Sequence, residues 1–489
     1  MQVVKEIVKT SKEEAKQQVF TDLWDFCMEN MRWVPEWKSY ALFDKKRWRA
    51  ASELVLVRLL VRILRVEYDL EDRPVDSGII SALNSMARKF IQALKPHIVF
   101  AASGFDADPN LLNMQNGTLD LRTMQLMDHD PKHNCSKITG AGYNVNADHP
   151  ALFLQVLSQM ISLSDEQIKS EGYEHTENEQ RIEYFRQLLC TYLLGQNADS
   201  LIHFLVGEGR NGKSVVTEDI HDLFGGYATA IHSRVISQRY PSDSVLAHIA
   251  RNRLGIVSEV GAGSELNSTT AKLLTGGDRV PDKDTHLTDA VTHLSTHLLV
   301  QTNYLPRIKD RSLAIWRRVR VIRCGKPIAA ESCDRELRFK LQDEADATIS
   351  WILKAQDIVR HQGLVVPKSI VDATNTYKEE SNPLSEYLDY FEIESDRSKI
   401  TKAHPYFLTS TDAKFIHDMD TDIRGGHKIS PRELGILMKE NLLPAGKRTI
   451  GGKTYRGYFG IRPKSDVPTV EINYGTLTQI INTQNRAVD

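Results

Sequence analysis

Residues 202–224 constrain this chain more tightly than any other stretch. Ile202-His203-Phe204-Leu205-Val206 is a short apolar run of buried-strand character. It leads without a gap into Gly207-Glu208-Gly209-Arg210-Asn211-Gly212-Lys213-Ser214, and a helical segment from Val215 to Phe224 follows. The loop matches G-x-x-x-x-G-K-S, and a strand before it with a helix after it is the context that motif needs. The glycines let backbone N–H groups turn inward around phosphate oxygens, and the helix N-terminus adds the positive end of its dipole. The stretch from Gly207 to Val215 is therefore expected to cradle the phosphates of ATP. Lys213 is placed to reach the β- and γ-oxygens, and the Ser214 hydroxyl to ligate Mg²⁺.

Two further strand tips carry polar groups at compact spacing. Arg253-Leu254-Gly255-Ile256-Val257-Ser258-Glu259 is an apolar strand ending in a carboxylate, 46 residues after Lys213. Glu259 is expected to orient and deprotonate an attacking water, and to touch Mg²⁺ through water. The residue before it, where an acid would hold the metal through water, is Ser258, which leaves Ser214 and phosphate oxygens as the main ligands. Leu298-Leu299-Val300-Gln301-Thr302 is a third strand, ending in Asn303, 44 residues after Glu259. An amide there can position water beside the terminal phosphate. Trp316-Arg317-Arg318-Val319-Arg320-Val321-Ile322 puts two arginines at the start of a fourth strand. An arginine so held can project into a neighbouring subunit's nucleotide site.

The rest of the chain frames this core. Lys and Arg number 62 against 64 Asp and Glu, so bulk charge does not announce a nucleic-acid partner, and any DNA-binding surface must be segregated locally. The five cysteines, Cys27, Cys135, Cys190, Cys324 and Cys333, form no C-x-x-C pair. That argues against a zinc ribbon or a disulfide framework and for a reducing cytoplasm. No run of about 18 apolar residues exists to span a membrane. Residues 1–100 read as mainly helical, with Leu54 to Leu64 apolar nearly all round and so expected to pack on more than one side. Residues 101–180 read as mixed α/β, with a hairpin at Asn116-Gly117. Asp106-Ala107-Asp108 reads as a turn before that hairpin rather than a two-metal carboxylate pair. Residues 181–330 hold the nucleotide core and 331–380 a helical extension. Ser381-Asn382-Pro383 marks a hinge into a small domain over 381–465, and 466–489 form a tail.

The small domain is locally basic. Between Ile423 and Lys464 stand Arg424, Lys428, Arg432, Lys439, Lys447, Arg448, Lys453, Arg456, Arg462 and Lys464, against Glu433 and Glu440. Ser430-Pro431-Arg432-Glu433 is a helix start, with Ser430 as N-cap and Pro431 in the first turn. Lys447 to Ile461 reads as strand, Gly451-Gly452 turn, strand. A helix followed by a basic hairpin is winged-helix-like. Arg432 and Lys439 are then expected in a groove, and Lys453 and Arg456 on backbone phosphates. Asp418-Met419-Asp420-Thr421-Asp422 lacks the glycine and distal glutamate of a calcium loop and is expected as a solvated acidic loop.

Taken together, the phosphate loop, Ser258-Glu259, Leu274-Thr275-Gly276-Gly277-Asp278, Thr302-Asn303-Tyr304-Leu305-Pro306 and Trp316-Arg317-Arg318 resemble a superfamily 3 helicase. More closely they resemble the phage and plasmid primase-helicase family, which includes the poxvirus primase-helicase. Phe105-Asp106-Ala107-Asp108-Pro109 and Asn116-Gly117-Thr118-Leu119-Asp120-Leu121 extend the resemblance upstream, without the length for an attached primase domain. The resemblance implies an α/β AAA+ P-loop core with a central parallel sheet, flanked by a mainly helical N-terminal region and a C-terminal winged-helix-like domain. It implies a homohexameric ring moving 3′ to 5′ on single-stranded DNA and unwinding duplex for replication of a mobile element. By position, Lys213 and Ser214 bind ATP and Mg²⁺, Glu259 is catalytic, Asn303 is the sensor, and Arg318, in preference to Arg317, is the trans finger. Gly276 to His297 would hold the DNA-gripping loop, with Arg279 and Lys283 as its basic residues. A separately encoded primase or initiator is a further expected partner. An origin-binding initiator or loader that uses ATP to assemble is the competing function. Another ring motor, such as a packaging ATPase, is disfavoured by Gly276-Gly277-Asp278 and the basic C-terminus.

Overall fold

The computed structural model describes residues 13–67, 76–195, 201–261, 263–277, 279–281, 291–293, 296–310, 312–325, 327, 334–381, 385–401, 404–424, 430–440, 443–450 and 452–472. Asn382 and Pro383 of the expected hinge, Lys283, and most of the expected tail lie outside them. The chain divides into two compact units, Met1–Arg307 with Ala314–Thr374, and Ile308–Leu313 with Asn375–Asp489. Among the described residues, no helix is long and apolar enough to cross a membrane.

The first unit opens with helix α1 (Glu13–Asn30) and strands β1 (Met31–Val34), β2 (Ser39–Phe43) and β3 (Trp48–Ala51), followed by α2 (Glu53–Glu67) and α3 (Ser77–Leu94). The three strands form an antiparallel sheet inside a region read as mainly helical. Local turn chemistry and aromatic packing account for the difference. The Asp44 carboxylate accepts from the backbone N–H groups of Lys46 (3.1 Å) and Arg47 (2.9 Å), closing the β2–β3 hairpin. Trp48 and Phe105 are buried together, with Trp37 stacked on Phe105 at 5.2 Å. Helix α2 buries one stripe, Leu56, Val57, Leu60 and Leu64, and leaves Leu54 and Val55 exposed. It therefore packs on one side rather than on several.

Strands β4 (Leu111–Met114), β5 (Gly117–Asp120) and β6 (Gln125–Met127) form an antiparallel sheet; the expected hairpin is there, but its turn is Gln115-Asn116, one residue earlier than Asn116-Gly117, with Gly117 already paired to Met114. Asp106 sits at φ +53° and its carboxylate accepts from the N–H of Ser136 at 2.9 Å and from the Ser136 hydroxyl, so it closes a loop. Helices α4 (Ala151–Ile161) and α5 (Glu177–Leu194) come next, and α5 packs against α4. Between them, buried Arg181 bonds three elements at once: Ile161 O (2.7 Å), Ser369 Oγ (2.7 Å) and Arg323 O (2.6 Å). Burial draws its guanidinium down to about 10.

The central sheet uses β7 (Ile202–Val206), followed by α6 (Lys213–Phe224); β8 (Ala228–His232), followed by α7 (Asp243–Ala250); β9 (Leu254–Ser258), followed by α8 (Ser268–Thr275); then, past the small antiparallel pair β10 (Arg279–Pro281) and β11 (Val291–His293), β12 (His297–Thr302) and β13 (Val319–Arg323). All five core strands are parallel, in the order β13-β7-β12-β9-β8. This is the expected α/β core with a parallel sheet. The inner strands β7, β9 and β12 are buried on both faces, which explains why they read as near-continuous apolar runs. His203, at the centre of β7, is held between the hydroxyls of Tyr184 (2.8 Å) and Tyr192 (3.1 Å) of α5, and burial pushes its pKa well below the usual histidine range.

The second unit contains β14 (Phe391–Ile393), β15 (Phe407–Thr409), α9 (Ser410–Arg424), α10 (Pro431–Glu440), β16 (Ala445–Ile450), β17 (Lys453–Phe459) and β18 (Ile461–Pro463). β15, β17 and β16 form one antiparallel sheet in that order, and β14 pairs with β18. Its core includes Tyr387, Phe391, Leu408, Ile416, Leu434, Met438 and Tyr458. The α10 start is a capping box. The Ser430 hydroxyl accepts from Glu433 N–H at 3.2 Å, and the Glu433 carboxylate accepts from Ser430 N–H at 2.9 Å. Asp418 to Asp422 lie within α9 and are not a loop. The helix period decides this: Ile416 turns into the core, and Lys414 pairs with Asp418 one turn on.

Candidate active site

The parallel register brings three strand tips to one edge of the sheet. Val206 pairs with Thr302, and Ser258 with Gln301, so the loop after β7, Asn303 after β12 and Glu259 after β9 all leave the sheet at the same level. This is the carboxyl end, where open parallel sheets bind ligands. Glu259 and Asn303 are both exposed there. Glu259 holds a left-handed backbone (φ +54°), unusual for a residue with a Cβ, and its N–H donates to Gln301 O at 3.0 Å.

The loop from Gly207 to Gly212 wraps onto the first turn of α6. Gly212 is the N-cap residue at φ +87°, and no side chain caps the N–H groups of the helix. Arg210 is also left-handed, at φ +64°. Glu208, Gly209 and Arg210 are exposed, and a side-chain atom added at Gly209 would meet nothing within 4 Å. Open glycine backbone before an uncapped helix N-terminus fits an anion. Lys213 is buried and donates to three oxygens of its own loop: Gly207 O at 2.6 Å, Glu208 O at 2.9 Å and Asn211 Oδ1 at 3.0 Å. Burial lowers its pKa below the usual lysine value. Ser214 is exposed and Val215 half-buried in the same turn of α6.

Gln301 was not singled out by reading the sequence. Its amide Nε2 donates to Ser214 Oγ at 2.7 Å, and its Oε1 accepts from the hydroxyl of buried Thr217 on α6. The available signal was a lone amide inside an otherwise apolar strand run, where a buried polar group needs a partner.

Arg317 and Arg318 stand at the other edge. Val319 pairs with Ile202, so both precede the amino end of β13, while the phosphate loop follows the carboxyl end of β7. Five strand residues separate the two levels, roughly 17 Å at about 3.3 Å per residue. Arg317 is exposed, and Arg318 is half-buried with Nη1 donating to Ala314 O at 2.7 Å. Neither is placed beside its own chain's phosphate loop. Arg279 lies on β10, paired with His293 of β11; Lys283 falls outside the described residues.

In the second unit Arg432 and Lys439 are exposed, seven residues apart and so on one face of α10, with exposed Ile436 between them. Lys447 pairs with Arg456, and Lys453 with Ile450. Strand alternation therefore puts Lys447 and Arg456 on one face of the hairpin and Lys453 on the other, with its ammonium 5.1 Å from the Tyr455 ring. Arg448 and Arg462 are engaged internally, by His404 O at 2.7 Å and by the Glu392 carboxylate at 2.6 Å.

Comparison with known proteins adds family evidence. The family described as "D5 N terminal like" matches residues 17–162. "Putative helicase 121R" of Invertebrate iridescent virus 3 is 24% identical over 325 residues, covering 60% of this chain and 33% of that protein. "Putative helicase L207/L206" of Acanthamoeba polyphaga mimivirus is 25% identical over 238 residues, covering 44% and 25%. "Putative helicase 022R" of Frog virus 3 is 24% identical over 294 residues, covering 55% and 29%. The chain thus spans about a quarter to a third of the length of the curated relatives it matches. Among solved structures it is similar to "The apo structure of NrS-1 C terminal region (305-718)", with 10% identity and a TM-score of 0.47 over 92% of this chain and 99% of that one. The D5-type match over residues 17–162 and the viral helicase relatives support the likeness to superfamily 3 primase-helicases.

Proposed function

We propose that the chain is an ATP-hydrolysing DNA helicase motor. In this reading it forms a homohexameric ring, moves 3′ to 5′ on single-stranded DNA, and opens duplex for replication of a mobile genetic element in the cytoplasm. One observation carries the reading. Lys213, Ser214, Glu259 and Asn303 share the carboxyl edge of the sheet, while Arg317 and Arg318 stand at the opposite edge, away from their own chain's phosphate loop.

Each residue then has a task. The N–H groups of the phosphate loop and the Lys213 ammonium, released from its own carbonyls, take the β/γ-phosphate charge. Ser214 would be the direct protein ligand for Mg²⁺, with Glu259 reaching it through water. That cation would neutralise phosphate charge as it develops. Glu259 takes the proton of the attacking water, and Asn303 orients that water. Arg317 or Arg318 stabilises the transition-state charge from the neighbour. Arg279 and Lys283 would grip single-stranded DNA, and Arg432, Lys439, Lys453 and Arg456 would contact duplex from a winged-helix-like second unit.

The exposed cations of that second unit also favour a second reading, an origin-binding initiator or loader that uses ATP to assemble. ATP hydrolysis measured with and without single-stranded DNA, beside strand displacement, separates the two. The helicase reading expects DNA-stimulated hydrolysis and displacement by the wild type. It expects neither from Lys213→Ala, and ATP binding without turnover from Glu259→Gln, with rates down by at least about a hundredfold. DNA-stimulated hydrolysis with no displacement from any fork would favour the initiator. Near wild-type turnover by Glu259→Gln would sink the assignment of the base.

A further inference from the structure

The carboxylate that would ordinarily orient the P-loop hydroxyl is missing from β9, where Ser258 stands. Resting on the nucleotide-binding reading above, we propose that Gln301 of β12 takes over this role and is the positioning residue for Ser214. Gln301 and Ser258 are register partners in neighbouring parallel strands and so share a face of the sheet. Of the two, Ser258 is exposed, whereas Gln301 is buried and in direct contact with Ser214, at 2.7 Å.

The contact is built from both sides. Gln301 donates from Nε2 to Ser214 Oγ, while its Oε1 faces the Thr217 hydroxyl one turn further along α6. Thr217 Oγ1 lies 2.9 Å from Lys213 O and 3.3 Å from Ser214 O, so its single proton has backbone acceptors within reach besides Gln301 Oε1. This gives the amide two satisfied orientations. In the one observed, Gln301 donates to Ser214 and accepts from Thr217. After a half-turn of the amide, Oε1 accepts the Ser214 proton and Nε2 donates to Thr217 Oγ, whose own proton passes to the Lys213 carbonyl. The second orientation is what Ser214 needs when its lone pair is committed to a cation and its proton must go elsewhere. The contacts to Ser214 and Thr217 are both kept in either state, which lets a buried amide turn without losing them. The role is positional: Gln301 acts through the Ser214 hydroxyl and touches no phosphate.

The test measures binding of a fluorescent ADP analogue to the full chain, in EDTA and across a Mg²⁺ titration, for wild type, Gln301→Met and Gln301→Glu. Methionine keeps the length and removes both hydrogen bonds; glutamate keeps an acceptor for Ser214 and Thr217. In EDTA all three should bind within about twofold of one another. Gln301→Met should need roughly tenfold more Mg²⁺ for the metal-dependent gain in affinity, the loss of one hydrogen bond to a polarised group. Gln301→Glu should return to within about threefold of wild type. Thermal unfolding of each variant checks that the fold is kept, and if the methionine variant unfolds, the glutamate variant and Gln301→Ala carry the comparison. An unchanged Mg²⁺ requirement in the methionine or alanine variant overturns the inference. So does a glutamate variant as impaired as methionine, which would mean packing and not hydrogen bonding. A wild type that binds no nucleotide in either buffer would instead overturn the motor reading beneath it.

Discussion

Asp219 shows how a single position couples the nucleotide helix to solution pH. It is buried on α6, one turn and a half past Lys213, and burial, with neighbouring Asp222 adding repulsion, pushes its carboxyl up to about 7. Arg338, paired with Asp222 at 2.7 Å, opposes the rise. The folded chain therefore keeps a proton that the unfolded chain releases near pH 4. Between about pH 4 and 7 the folded state binds more protons, so this group's contribution to stability falls as pH rises through that window. Asp219→Asn, which is neutral throughout, is expected to flatten this part of the stability profile, measured as urea midpoints at several pH values. An unchanged slope would place the ionised carboxylate in the native state. Lys213 illustrates the opposite economy. Its three bonds to loop oxygens satisfy a buried ammonium without an acid, and the same three donors are what phosphate would claim.

At the scale of elements, the second unit separates cations that hold the fold from cations that face solvent. Arg448 lies against the Phe407 and Phe459 rings and bonds His404 O, and Arg462 pairs with Glu392 across β14 and β18. Arg432 and Lys439 share the outward face of α10, and Lys447 and Arg456 share one face of the β16–β17 hairpin. Alanine at Arg432 and Lys439 is expected to weaken duplex binding and to flatten the slope of log K against log salt by roughly 0.9 for each lost phosphate contact. Alanine at Arg462 should leave that slope unchanged. If Lys447→Glu with Arg456→Glu weakens binding much more than Lys453→Glu, the first face of the hairpin is the one on DNA; equal effects would mean that both faces touch phosphate. Unchanged affinity and slope in every variant would remove the DNA-contact assignment of this unit.

For the whole molecule, the direction of β13 matters most. Because it runs parallel to β7, the arginines before it and the loop after β7 stand at opposite edges of one sheet. In the proposed ring, a finger at one edge would serve the cradle of a neighbouring copy. Arg317 is exposed, whereas Arg318 donates to Ala314 O, so Arg317→Ala and Arg318→Ala are to be compared directly. Either finger variant should bind nucleotide yet turn over poorly. Mixed one to one with Lys213→Ala, it should regain about a quarter of wild-type hydrolysis, from the interfaces that pair an intact loop with an intact finger. No recovery, with mixed assemblies demonstrated, would rule out action in trans.

What the sequence alone determined is what neighbours within a turn or two of chain can decide. The strand, glycine loop and helix around Lys213 were legible because phosphate-loop geometry is local, and the Ser430 cap and the presence of a hairpin at Asn116 for the same reason. The apolar runs of β9 and β12 were legible because both faces of those strands are buried. The sheet within residues 31–51 was hidden, because its aromatic partners, Phe100 and Phe105, lie some fifty residues further on. The acidic stretch of α9 read as a loop, because only packing of Ile416 into its core shows which face of a helix those aspartates share. Gln301 remained invisible for a related reason. A lone amide in a strand gains meaning only when parallel pairing sets it opposite Ser258 and α6 lays Ser214 and Thr217 against it. Register and helix-on-sheet packing are non-local choices, made by burial across the whole core, and only the tertiary structure reveals them.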